Sequence, residues 1–246
     1  TVTERYLRQD LGYGNIFVTS KETAVKHSQI DTVVGKPQTL KSSADLFAAL
    51  RRDGSTTTPS KVIICDTNVL LHNLDVLETA VRGKALQNIV FPQTALEECR
   101  ANRWHIYERV VTLLQSVAAA KNDDGSNNDN KKNVDVSPPC LIYFPDVHHE
   151  ATARSKDENV DMSPNDRNDA RLRQTAEFFG QALSSSKQWE VVFLTDDAAS
   201  RDLAGQDKNN LYQTTSVRTL MQELDRQHTN LHLADLVAQF GSSAQE

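Results

Sequence analysis

Four short apolar runs constrain this chain more than anything else in it: Lys61 to Cys65 (KVIIC), Asn88 to Phe91 (NIVF), Cys140 to Phe144 (CLIYF) and Glu190 to Leu194 (EVVFL). Each is apolar almost throughout and too brief for a helix, the pattern of strands buried on both faces. Around them, apolar residues recur at three- and four-residue intervals over Val69 to Ala80, Thr94 to Ala120 and Asp166 to Leu183. Ala198 to Leu203, Val217 to Leu224 and His232 to Phe240 read as shorter helices. Ser163, Pro164 and Asp166 supply a helix entry signal, with Ser163 as N-cap and Pro164 at the first helical position. Strands alternating with helices imply right-handed βαβ units, so the expected fold is α/β, a doubly wound, mostly parallel sheet flanked by helices.

A chain of 246 residues has room for one sizeable core plus extensions. Residues 61–246 are expected to form the domain, with 1–60 leading into it or packing on it. The polar stretch at 51–60 (RRDGSTTTPS) reads as a loop. Residues 121–137, dominated by Asn, Asp and Lys, read as a solvated, disordered insertion. Acidic residues outnumber basic ones by 33 to 27, so no broad basic field is available and any grip on nucleic acid must be local. Cys65, Cys99 and Cys140 are far apart with no CxxC pair, which argues against a disulfide framework and a structural zinc site. No apolar run reaches the ~20 residues of a membrane span, and Thr1 to Asp10 lacks the core of a secretory signal. The chain therefore reads as soluble and intracellular. Its start without methionine reads as a fragment or a processed form.

In a doubly wound sheet the ligand crevice lies beyond the carboxyl ends of the strands. After KVIIC come Asp66, Thr67 and Asn68; after EVVFL come Thr195, Asp196 and Asp197. Glu97 and Glu98 lie early in the helix after NIVFPQ, and Asp166 and Asp169, three apart on one helix face, open another. Carboxylates gathered in one cleft repel each other, and burial adds to the cost unless cations compensate it. With only oxygen ligands at these positions, Mg²⁺ or Mn²⁺ is favoured over Zn²⁺. Two such ions suit in-line hydrolysis of a phosphodiester, leaving a 5′-phosphate and a 3′-hydroxyl. Each acid also has a plainer role available: Asp66 or Asp197 as N-cap, Glu97 or Glu98 on a solvated face, Asp166 as a capping-box acid. The joint placement of acids after two strands and at two helix starts separates the readings.

Those residues resemble the PIN-domain nucleases, and among them the PIN domain that opens the exosome-associated ribonuclease II-family subunit. The resemblance is carried by Val62 to Glu78 (VIICDTNVLLHNLDVLE), Val90 to Glu98 (VFPQTALEE), Asn165 to Ala170 (NDRNDA) and Val192 to Asp197 (VFLTDD), with Arg5 to Asp10 leading in. It implies a metal site of Asp66, Glu98, Asp169 and Asp197, with Asn68, Asp166, Thr195 and Asp196 in support. It also implies endonucleolytic cleavage of single-stranded RNA with manganese or magnesium, a place beside the exosome core in RNA processing and decay, nuclear residence with nucleolar or cytoplasmic pools, and further RNA-binding and exoribonuclease modules beyond Glu246. The family pattern carries a cysteine cluster after the opening segment. Leu11 to Ile16 (LGYGNI) holds none, so the resemblance does not extend to that motif or to docking that depends on it.

Arg100, Arg103, Arg167 and Arg171 flank the acids and are candidates to hold RNA phosphates, with a solvated face equally compatible. Trp104 and Tyr107 could stack a base, although a helix-core role fits both better. His148, His149 and Glu150 read as loop, and His228 and His232 as surface. Two other classes stay open: a PIN-fold docking module for the exosome core with an idle site, and an unrelated phosphotransfer domain with a strand-end Asp nucleophile. The phosphatases of that last class need a second acid at position 68, which is Asn.

Overall fold

The computed structural model describes residues 30–32, 38–40, 50, 59–122, 139–147, 152, 163–184, 188–205 and 211–241. The described strands are β1 (Ile30–Thr32), β2 (Gln38–Leu40), β3 (Ser60–Cys65), β4 (Asn88–Pro92), β5 (Cys140–Phe144), β6 (Trp189–Leu194) and β7 (Gln213–Thr215). The helices are α1 (Thr67–Arg82), α2 (Gln93–Asn102), α3 (Trp104–Asn122), α4 (Pro164–Leu183), α5 (Ala198–Gly205), α6 (Val217–Gln227) and α7 (Leu233–Gly241).

The strands form one sheet in the order β2-β1-β5-β4-β3-β6-β7. β5, β4, β3, β6 and β7 run parallel. β1 and β2 add an antiparallel border beside β5, where Thr32 pairs with Ile142. These two short strands come from the region read as an extension. The expected mostly parallel sheet flanked by helices is the fold observed.

β4 and β5 are buried at every position, which is why their sequences are continuous apolar runs rather than alternating ones. Phe144 stacks on Phe178 of α4 with ring centroids 5.5 Å apart, and Phe179 meets Phe144 edge-on at 5.3 Å. At Gly180, a Cβ would lie 2.2 Å from the carbonyl oxygen of Leu211. α4 therefore presses backbone to backbone on the segment leading into β7.

The chain builds outward from β3 through β4 to β5, then crosses to β6 and β7 on the other side. β3 and β6 thus flank the point where strand order reverses, where the crevice of an open α/β sheet lies. Their register, Cys65 opposite Leu194, brings Asp66 and Thr195 side by side just past the strand ends. The hydrogen bond from Asp66 N to Leu194 O, 3.0 Å, carries the ladder to that border.

The long periodic stretch from Thr94 to Ala120 is two helices, not one. Arg103 breaks it at φ −146°, ψ 86°, between α2 and α3. The Ser163 entry signal is realised: its hydroxyl accepts from Asp166 N at 3.1 Å. From residue 123 onward the expected insertion lies outside the described residues, as do His148, His149, Glu150, Leu11 to Ile16 and the 51–58 loop. No described helix is long and apolar enough to cross a membrane.

Candidate metal centre

Asp66 caps α1 at φ −76°, ψ 157°, and its Oδ1 accepts from Thr67 N at 2.6 Å. Its other oxygen accepts from the Thr195 hydroxyl, also at 2.6 Å. The structural and functional readings of Asp66 therefore fall on one side chain, a helix cap whose carboxylate stands in the crevice. It is buried, 5% exposed. Burial pushes its pKa up to about 6, the hydrogen bonds from Thr195 and Thr67 oppose the rise, and the charges of Asp169 and Glu98 add to it.

Glu98, half-buried on α2, is fixed from two sides. Thr67 Oγ1 donates to its Oε2, and Asn168 Nδ2 donates to its Oε1 at 2.6 Å. Asp169, next to Asn168 on α4, is half-buried and its carboxyl is also raised. Desolvation is the main cause, with Glu98, Asp197 and Asp166 adding to it and Arg173 opposing it. Its Oδ2 accepts from Asn165 Nδ2 at 3.4 Å. Asp197 starts α5: its Oδ1 accepts from Ala199 N at 2.9 Å, and its own amide donates to Thr195 Oγ1 at 3.2 Å. One hydroxyl, that of Thr195, thus links Asp66 to Asp197.

Asp66, Glu98, Asp169 and Asp197 come from the ends of β3 and β6 and from two helices, and their charges act on one another. Their oxygens are engaged by neutral donors, and among the described residues no group of three His, Cys, Asp or Glu stands at metal-ligand spacing. The chemistry of the set fits a hard cation. Cys65 and Cys99 adjoin two of the acids and are buried. Burial, with the Glu98 and Asp66 charges adding to it, pushes Cys99 up to about 12, and burial with the Asp66 charge pushes Cys65 higher still. The four acids themselves offer oxygen donors, which suit a hard cation.

Among the supporting residues, Thr195 is buried between Asp66 and Asp197, whereas Asp166 is exposed at the start of α4 and Asn68 is exposed on the first turn of α1. Asp196 works for the fold: its Oδ1 accepts from Val217 N and its Oδ2 from Asn73 Nδ2, both at 2.9 Å. Glu97, the acid set aside in favour of Glu98, is exposed and accepts from Gln93 Nε2 at 2.8 Å.

The four arginines separate. Arg100 is exposed, its guanidinium 5.9 Å from the ring centre of Trp104. Arg103 is exposed and donates to Leu71 O at 3.2 Å. Arg167 and Arg171 are partly buried, each with its Nε enclosed and without a hydrogen bond among the described residues. Tyr107 is core, but Trp104 is 50% exposed, so the helix-core reading holds for Tyr107 and fails for Trp104. Trp104 opens α3 directly after the Arg103 break, before the helix turns its apolar face inward.

Thr67 and Asn168 were missed by sequence reasoning, although both lie inside the DTN and NDRND blocks. Their signal was position: each is a neutral donor beside an acid, where a carboxylate needs orienting. Asp146 was missed too. Asp146 stands two residues past Phe144 at the end of β5, as Asp66 and Asp197 stand past the ends of β3 and β6.

A PIN domain family model matches residues 63–210, more than half of the chain. The chain is similar to the exosome complex exonuclease RRP44 of Homo sapiens, 30% identical over 145 residues that make up 58% of this chain and 12% of that protein. It is 28% identical to the exosome complex exonuclease RRP44 of Mus musculus over 148 residues, covering 59% and 13%. This chain thus corresponds to a small part of those relatives. Among solved structures, the T. brucei RRP44 PIN domain matches at a TM-score of 0.49 and 21% identity, covering 71% of this chain and 86% of the other. The family match takes in the ends of β3 and β6 and the acids on α2 and α4, and the chain belongs to the PIN-domain family.

Proposed function

We propose that this chain is a divalent-metal-dependent endoribonuclease that cuts single-stranded RNA to 5′-phosphate and 3′-hydroxyl ends. One observation carries the reading: Asp66, Glu98, Asp169 and Asp197 converge from four elements on the crevice where strand order reverses, and burial, with their mutual charge adding to it, raises Asp66 and Asp169. In this reading they hold one or two Mg²⁺ or Mn²⁺ ions. Bound there, such ions supply charge against the phosphate, activation of water and stabilisation of the leaving oxygen. The chain's own residues orient the donors: Thr195 turns Asp66 and anchors Asp197, while Thr67 and Asn168 hold Glu98. Family membership and similarity to RRP44 proteins support a nuclease that meets RNA beside the exosome, with nuclear residence as the matching expectation.

The test is incubation of the purified chain with a circular single-stranded RNA in Mn²⁺, Mg²⁺ or EDTA, with Asp169→Asn alongside and product ends determined. Metal-dependent opening to 5′-phosphate ends, lost in Asp169→Asn, is the expected result. Cleavage that survives EDTA or the substitution refutes the site. A circle intact in every condition favours the docking-module alternative.

A further inference from the structure

A third strand-end acid stands apart from the group above. Asp146 follows β5 and is wholly buried. α2 begins on Pro92, which offers no side-chain cap, so the amides of its first turn need an acceptor from elsewhere. Asp146 Oδ1 provides one, accepting from Thr94 N at 2.9 Å. The carbonyl of Asp146 accepts from Thr152 Oγ1 at 2.5 Å, which fastens the loop that carries it.

Thr94, the residue it caps, in turn meets α4. Arg171 Nη1 donates to Thr94 Oγ1 at 3.4 Å, and the Arg171 charge acts on Asp146. Arg171 sits two residues after Asp169, and Thr94 lies one turn before Glu98. Thr94 thus ties the end of β5, through Asp146, to the two helices that bring Glu98 and Asp169 to the crevice.

The arrangement is costly for a mere cap. Asp146 Oδ2 has no hydrogen-bond partner among the described residues, and burial pushes the carboxyl up to about 6 despite Thr94 and Arg171, with Glu97 adding to the rise. A Ser or Asn at position 92 would cap α2 without burying a charge. Capping from β5 does something else: it fixes α2 to a neighbouring strand at Thr94, the point where α4 is also attached.

We propose that Asp146 is a positioning residue of the metal centre, which caps α2 from β5 at Thr94, the residue that Arg171 of α4 also binds, so that Glu98 and Asp169 are held in register. The inference rests on the metal-centre reading. Its test compares Mn²⁺ affinity by titration calorimetry, and amide exchange of residues 93–99 in metal-free protein, for the native chain, Asp146→Ala and Asp146→Asn. Asn keeps the Oδ1 acceptor. Expected are a loss of about tenfold or more in Mn²⁺ affinity for Asp146→Ala, the range of outer-shell partners, faster exchange at 93–99, and recovery of most of both in Asp146→Asn. Should Asp146→Ala fail to fold, Asp146→Ser, whose hydroxyl falls short of Thr94 N, carries the same comparison. Native-like affinity and exchange in the truncated variant overturn the assignment, as do equal losses in the truncated and Asn variants. If the native chain binds no Mn²⁺, the metal-centre reading fails and this role fails with it, an outcome visible before any variant is measured.

Discussion

Replacing Asp66 with Asn should make the metal-free protein more stable, not less. Asp66 titrates near 3.8 when unperturbed and about 6 in the fold. At low pH it is protonated in both folded and unfolded chains, so it contributes nothing to pH dependence. Between about pH 4 and 6 the folded chain holds more protons, so stability falls as pH rises. Above about pH 6 the full penalty applies, ~3 kcal/mol. Asn removes that penalty and keeps an oxygen for Thr67 N, but it weakens the bond from Thr195, which offsets ~1–2 kcal/mol. The net gain of ~1–2 kcal/mol corresponds to a rise of roughly 2–8 °C in Tm for a chain this size. Thermal melts in EDTA from pH 4 to 8 should show the two proteins together at the acid end and Asp66→Asn higher at pH 8. Adding Mn²⁺ at pH 8 should narrow or reverse the order, because metal bound only by the folded native protein stabilises it by mass action. If Asp66→Asn melts at or below the native protein at pH 8 in EDTA, the reasoning from burial and carboxylate repulsion is refuted.

Asp169→Asn should abolish cleavage of a circular RNA and leave the circular dichroism spectrum unchanged, since the side chain is only half-buried and its volume is kept. Asn168→Ala removes the hydrogen bond to Glu98 Oε1 and should weaken Mn²⁺ binding by about 10- to 100-fold, with Tm nearly unchanged; calorimetry beside a melt checks both. Gly180→Ala should lower stability by ~1–3 kcal/mol, because a methyl 2.2 Å from Leu211 O forces backbone apart. Urea unfolding measures this, and an unchanged midpoint would show that α4 and the Leu211 segment are free to separate.

The central sheet was legible because burial on both faces writes itself as an apolar run: Cys140–Phe144 is observed at the expected bounds, and the other three runs differ by a residue at one end. β7 was not legible, since Gln213–Thr215 is polar and no more than partly buried. The break at Arg103 was hidden because neither Gly nor Pro marks it; the geometry there comes from packing, with Arg103 reaching Leu71 O on α1. In the candidate site the acids stood out, since several like charges at one sheet border need a reason. Two of the neutral donors that aim them did not, because Thr67 and Asn168 carry no charge and their partner Glu98 is 31 and 70 residues away. Asp146 hid for the opposite reason, as a single acid at the start of a polar stretch that reads as loop.

The sheet's two borders have a consequence for association. β2 at one end and β7 at the other are each three residues long, so an incoming strand could form only a brief ladder with either described border. The long apolar strands that would template aggregation lie inside, between them. A macromolecule that docks on the described part of this chain must recognise helix faces and loop side chains rather than extend the sheet, and its affinity should therefore respond to single side-chain changes.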